Sequence, residues 1–228
     1  MTGTAQHSLA HVQWDGDEPY IPVSDTIRIT PARPNDVARW VELNNSPLVV
    51  ASSWRHPIPY PKDLGAKSIE AAMVRSKALV EQMRESPSEP VPGCPFDVIR
   101  QYPSGELMGT INLTVSDRPI DLPEPAPGSD VETHLTRYPW AQETWDVGYK
   151  VLPEFSGRGV ASKALGALVE VWAIGVMRLR QVSAGSRATN SASHAVLRKN
   201  GFVEAYRYPR TDIRGNTFEG AKFSRVLA

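Results

Sequence analysis

The sequence predicts a mixed α/β fold, a sheet with helices on both faces. Three observations predict it: short runs with strand periodicity recur along the chain, helical runs are interleaved with them, and the two kinds follow in the order β-α-α-β-β-β-α-β-α-β-β. Consecutive strands with only a turn between them pair as hairpins, whereas strands separated by a helix can lie parallel, so the sheet is mixed.

Residues 1–24 are polar with scattered aromatics and carry Pro19 and Pro22, so they read as a polar N-terminal extension outside a single domain placed at 25–228. Thr26-Ile27-Arg28-Ile29-Thr30 alternates like a half-buried strand, and Pro31 and Pro34 lead from it into a helical pattern over 35–43. A second helix spans 63–84, where Ile69, Met73, Val80 and Met83 recur at near-helical spacing, and the proline-rich stretch 86–93 ends it. Residues 96–101 and 107–115 flank Ser104-Gly105 and read as a hairpin. The segment 116–142 shows no clear period and is longer than an ordinary connection, as lids and binding loops are. Beyond it come a strand over 144–152, a helix over 162–177, a short strand over 182–185, a helix opened by Asn190, and a closing hairpin of 203–208 with 218–226.

Composition narrows the partners. Lys+Arg and Asp+Glu balance at 25 each, so no global field points to nucleic acid. The one cysteine, Cys94, forms no internal disulfide, no apolar run is long enough to cross a bilayer, and Met1 to His7 shows no basic-then-apolar leader, which together suggest a cytoplasmic protein without a membrane partner. His7, His11, His56 and His134 lack metal-ligand spacing, so no metal is expected.

The informative turn is Ser156-Gly157-Arg158-Gly159-Val160-Ala161, which joins a strand to a helix. Backbone N–H groups at a helix N-terminus bind anions, and glycine lets a phosphate approach closely. A dinucleotide fingerprint would need a third glycine and an acid about 20 residues on; Ser162 stands at the first place, and 182–186 contains no carboxylate. The spacing of a P-loop is absent too.

The residues Gly148-Tyr149-x-Val151-x-Pro153, Gly157-Arg158-Gly159-Val160-Ala161-Ser162-Lys163-Ala164-Leu165, Trp172-Ala173, Asn190-Ser191-Ala192-Ser193 and Val196 through Phe202 occur in this order. In that combination the chain resembles the GNAT superfamily of acetyl-CoA-dependent N-acetyltransferases, and within it the branch of ribosomal-protein N-terminal acetyltransferases. The resemblance implies a mostly antiparallel central sheet splayed at the coenzyme site, acetyl-CoA as cosubstrate, and direct transfer of the acetyl group to a primary amine in a ternary complex. The family's pyrophosphate motif falls on Ser156 through Ala161, with Ser156 where Gln or Arg is usual. Val151 would offer a backbone N–H to the acetyl oxygen, and Arg158 would add charge near the phosphates or simply lie in solvent.

Asn190 resembles the asparagine that holds the pantetheine or thiol end, and it equally suits a plain helix cap. Ser193 matches the serine that protonates the departing sulfur, the place of the family's alternative tyrosine being taken by Leu197. A base, direct or through water, is Asp146 or Glu143; Asp146 shares a strand face with Gly148, and an ion-pair role fits it as well. Tyr149 reads as a core residue with its hydroxyl on a polar partner. The neighbours Ser193 and His194 point apart on a helix and make no hydrolase pair. Acceptor choice falls to the N-terminal helices, Trp54-Arg55-His56-Pro57 and the 116–142 segment with Asp121, Glu124, Asp130 and Glu132, none of which spells a code. Two acceptor classes stand, a small-molecule amine and a protein N-terminus, in a monomer or homodimer. The competing class is a catalytically inactive module that keeps CoA binding.

Overall fold

The computed structural model describes Leu9 and residues 11–121 and 126–227. Among these, β1 (Gln13–Asp15), β2 (Glu18–Ser24), β3 (Ile27–Thr30), β4 (Val98–Gln101), β5 (Leu107–Val115), β6 (Trp145–Val151), β7 (Gln181–Arg187), β8 (Val203–Thr211) and β9 (Thr217–Val226) form one sheet. Its order is β1-β2-β3-β4-β5-β6-β7-β9-β8. Neighbours are antiparallel throughout except β6 and β7, which run parallel because a helical crossover joins them.

The helices are α1 (Val37–Asn45), α2 (Pro47–Ser52), α3 (Lys62–Glu85), α4 (Asp130–Arg137), α5 (Val160–Ala167) and α6 (Ser191–Lys199). Both faces of the sheet are covered, and the period of two along β4 shows how. Val98 packs into a cluster with Leu43, Ile69 and Ala72 of α1 and α3, while Ile99 enters the opposite cluster with Leu165, Leu168 and Trp172. The helix begun by α5 widens into a π-helical stretch, Leu168–Ile174, with Gly175 N–H bonding the Glu170 carbonyl at 3.3 Å. Trp172 anchors it edge-on to Phe96 (4.9 Å between ring centroids) and donates its indole N–H to the Gly93 carbonyl.

The start of α1 is fixed by Arg100, which reaches across from β4 and grips Asp36 with two parallel bonds of 2.9 and 2.8 Å. Both side chains are buried, so the pair holds α1 in one place over the sheet.

Two expectations need correction. Residues 13–24 are not an extension outside the fold: β1 and β2 belong to the sheet, and Ile21 is fully buried. Proline obscured them, and the sheet tolerates Pro22 beside a register shift between Pro22 and Ser24. The segment expected as a loop over 116–142 contains α4 and a 3₁₀ turn, Pro139–Gln142. Ser129 caps α4 through the Glu132 N–H, so Asp130 and Glu132 sit in the first turn of a helix, where acidic side chains complement its dipole. The six-residue α2 was not foreseen. The N-terminal stretch 1–8, which includes His7, and Glu124 lie outside the described residues.

Two buried titratable groups lie just before β4. Burial pushes the Cys94 thiol up to about 12, leaving it inert as a nucleophile near neutral pH. Asp97 accepts a 2.6 Å bond from Arg75 on one oxygen, the other is buried without a partner among the described residues, and burial outweighs Arg75 to push the carboxyl up to about 6. A carboxyl raised in the folded state stabilises most below its unfolded value of 3.8, and that contribution is lost as pH rises through about 6. The unfolding free energy of the wild type relative to Asp97→Asn is therefore expected to fall between pH 4 and 7 by up to roughly 3 kcal/mol. Urea titrations across that range check it, and a constant difference would refute it.

Candidate active site

The site begins where the sheet comes apart. β5 and β6 stay in register over seven residue pairs, and β7 and β9 over seven, whereas β6 and β7 share only Trp145↔Val182 and Asp146↔Ser183. Beyond Asp146 the two central strands diverge. The Leu152 N–H bonds the Met108 carbonyl, and the Ser116 N–H bonds that of Thr144. The alternation of an antiparallel ladder therefore commits the amides of Gly148 and Lys150 to β5 and turns those of Tyr149 and Val151 toward the gap.

A cavity of about 410 Å³ fills that gap and runs under α1 and α2. Asp146, Asn190 and Ser193 all line it, together with Tyr149, Lys150 and Lys222. Gly148 leaves room for Asn112, whose Oδ1 would stand 2.8 Å from a Cβ at that position and would have to give way.

Each side chain in the cavity has a structural cause. Asn190 caps α6, its Oδ1 accepting the Ser193 N–H at 3.1 Å, so the capping role is real; among the described residues its Nδ2 has no protein partner. Ser193, held in the first turn of α6, lies 2.9 Å from the Tyr149 hydroxyl, which also reaches the Ser193 carbonyl at 3.1 Å. Burial pushes the Tyr149 phenol up to about 12, against the opposing pull of the Ser193 bond, so it stays protonated at working pH. Tyr149 thus has the polar partner foreseen for it, and that partner is Ser193. Leu197 is fully buried, and His194 turns into the core against Phe223 with its Nε2 near the Arg187 carbonyl.

Asp146 is heavily engaged. Its Oδ1 accepts from Lys222 Nζ at 2.6 Å and from the Ser183 hydroxyl, and its Oδ2 accepts from Ser116 at 2.8 Å. Glu143 is exposed and is not among the residues that line the cavity.

Two further titratable groups line the cavity: Lys150, which no motif marks, and His56, from the stretch expected to bear on acceptor choice. Lys150 Nζ bonds the neutral Asn44 Oδ1 at 2.6 Å, and burial pulls its ammonium down to about 8. His56 stacks edge-on to Tyr60, and burial, with Lys150 and Arg55 nearby, pushes it down to about 4. Its imidazole is neutral at pH 7 and too weakly basic to be an efficient proton acceptor there. A lysine amid a run expected to be a buried strand is the one available signal for Lys150.

The glycine turn lies outside the cavity lining, past a 3₁₀ turn at Pro153–Phe155 that follows β6. Gly157 and Gly159 both adopt positive φ, +75° and +77°, and a Cβ on either would meet no atom within 4 Å. Helix α5 makes its first bond from Lys163 N–H to the Gly159 carbonyl, so the N–H groups of Val160, Ala161 and Ser162 have no helical acceptor. Ser156 turns its hydroxyl back onto the Leu152 carbonyl at 3.2 Å, and Arg158 is exposed. Because space is open, Gly159→Ala costs conformation alone: about 1–2 kcal/mol of stability is expected, as denaturation would measure.

Residues 26–203 match the family model described as an acetyltransferase (GNAT) domain. The chain belongs to the GNAT acetyltransferase family. Solved structures of similar fold include a GNAT-family acetyltransferase from Bacillus anthracis, 15% identical with a TM-score of 0.60, covering 91% of this chain and 98% of that one. Another is yncA, a putative acetyltransferase from Salmonella typhimurium solved with its cofactor acetyl-CoA, at 19% identity and TM-score 0.57 over 90% and 95% of the two chains. A third is Mycobacterium smegmatis RimJ in complex with CoA-disulfide, at 18% identity and TM-score 0.56 over 88% and 82%. At such identities the likeness is one of fold. No curated protein matches the sequence significantly. Among the described residues no helix is long and apolar enough to cross a membrane, and no group of three or more His, Cys, Asp or Glu side chains could hold a metal ion.

Proposed function

We propose that this protein transfers the acetyl group of acetyl-CoA to a primary amine, both substrates being bound at once. The observation that carries the reading is the opening between β6 and β7, with backbone amides turned into it from one side and the Tyr149–Ser193 hydroxyl pair on its wall. The residues fit the cosubstrate: the two positive-φ glycines leave an open cradle before α5 for the pyrophosphate, with the amides of Gly157 to Ala161 as donors. On this reading Asn190 Nδ2 would hold the pantetheine arm and the Val151 N–H the acetyl oxygen, which takes up negative charge as the amine adds.

The amine nitrogen forms the C–N bond, the C–S bond breaks, and the nitrogen gives up one proton while the sulfur gains one. On this reading Ser193 protonates the sulfur, Tyr149, neutral and donating, replaces the proton that Ser193 loses, and Tyr149 recovers its own proton from water. The proton from the amine leaves to Asp146 or to water in the cavity; the bonds already made by Asp146 favour water, with Asp146 holding Lys222 in place. RimJ and yncA, the one solved with a CoA-disulfide and the other with acetyl-CoA, support the choice of donor.

The test is thiol release from acetyl-CoA in the presence of amino acids, amines and peptides with free N-termini. Release that depends on an acceptor is expected. CoA binding without release from any acceptor would reduce the protein to a binding module.

A further inference from the structure

The charges around the cavity do not balance. Arg55 and Arg210 share the single carboxylate of Asp117, at 3.0 and 2.7 Å, and Lys222 is taken by Asp146. Lys150 lines the same cavity and, among the described residues, forms no ion pair; the nearest polar atom it reaches is the amide oxygen of Asn44. Asn44 is itself fixed, its Nδ2 bonded to the Trp40 carbonyl at 2.8 Å, so its oxygen cannot turn away.

An ammonium half out of water, with only an amide dipole for company, is poorly compensated. Burial lowers its proton affinity accordingly. Neighbouring His56 is held neutral and supplies no counter-charge. The cavity offers no uncommitted carboxylate among its lining residues, so a polycationic amine would meet excess positive charge without a partner. An acceptor that brought its own anion would complete Lys150, whose ammonium has N–H donors left beside the one given to Asn44 Oδ1. The indole rings of Trp40 and Trp54 form part of the same wall and suit an apolar or aromatic body.

We infer that the acceptor is a primary amine that also carries a carboxylate, with Lys150 as the specificity residue that receives the carboxylate. This rests on the transferase reading above. Two sources share that chemistry: a free α-amino acid, and a peptide whose N-terminal residue is Asp or Glu.

The experiment compares phenylalanine with phenylalaninamide and phenethylamine, Asp-Ala-amide with Asn-Ala-amide, and spermidine as the polycation, by thiol release from acetyl-CoA. In at least one of the two series the carboxylated member is expected to exceed its uncharged counterpart at least about tenfold in kcat/KM, and the series that shows this names the source. Lys150→Met is expected to collapse that ratio to near unity, with Lys150→Arg restoring part of it; a melting curve and a CoA titration establish that each variant is folded. Transfer that proceeds without preference for the carboxylate, or a preference that survives Lys150→Met, overturns the inference and leaves the transferase reading standing. Release from no amine overturns the transferase reading instead, and calorimetry then decides: phenylalanine or Asp-Ala-amide binding to the CoA-loaded protein, lost in Lys150→Met, supports the carboxylate site, and no binding of either overturns it.

Discussion

Replacing Lys222 with methionine is expected to lower the unfolding free energy by about 3–5 kcal/mol. Lys222 is only 1% exposed, although it lies on β9 among residues that read as an ordinary hairpin. Its register partner on β7 is Gly185, and its ammonium satisfies both Asp146 at 2.6 Å and Ser116 at 2.7 Å. Methionine matches the stem but leaves Asp146 as a charge at the edge of the cavity with only two hydroxyl donors, Ser183 and Ser116. Removing one member of such a pair costs far more than the pair contributes, because the survivor has been taken from water. The double variant Lys222→Met with Asp146→Asn is expected to recover most of the loss, and urea unfolding of the two variants measures it. A single variant as stable as the wild type would mean that solvent reaches Asp146 freely.

The same pair of variants separates the two roles of Asp146. If its carboxylate takes the proton from the amine, the refolded double variant loses about 10²–10⁴ in kcat, the span of general base catalysis. If it chiefly holds Lys222, the loss stays within about tenfold, because the cavity keeps its shape. The sequence leaves these roles level for a physical reason: a carboxylate on a strand is recognisable by its face, but the cation that claims it lies 76 residues away in the chain.

The uneven legibility of the molecule has the same origin. The helix from Val160 and the turn before it could be read directly, since two glycines, an apolar helical period and a following strand are local properties. Gly157 and Gly159 do hold the positive φ that makes glycine necessary. Strands β1 and β2 were hidden because Pro19 and Pro22 argue against a strand, and only the pairing with β3 shows how they are accommodated. Helix α4 was hidden because eight residues are too few to display a period. In the site, Ser193 and Asn190 were legible as a motif, whereas Lys150, Asn44 and His56 meet only after β6, α1 and the stretch past α2 have packed together. Residues that act through a motif are visible in one dimension, and residues that act through a cavity are not.

Ser193→Ala is expected to reduce kcat about 10²-fold while CoA still binds. The alanine keeps the backbone N–H that Asn190 caps, so α6 and the cavity wall stay in place. What is lost is the hydroxyl 2.9 Å from Tyr149 and with it the proton for the sulfur. Tyr149→Phe is expected to cost less, about tenfold, because Ser193 would still reach the sulfur but would recover its proton from water. Because the Tyr149 phenol is held at about 12, neither the wild type nor Ser193→Ala should show a phenol ionisation between pH 6 and 9. The decisive comparison is the double variant. Two hydroxyls that pass one proton act as a unit, so Ser193→Ala with Tyr149→Phe should be no slower than Ser193→Ala alone, as a double-mutant cycle on kcat would report. Losses that multiply instead would mean that the two side chains serve different steps, with Tyr149 reduced to a packing residue whose hydroxyl merely satisfies the Ser193 carbonyl.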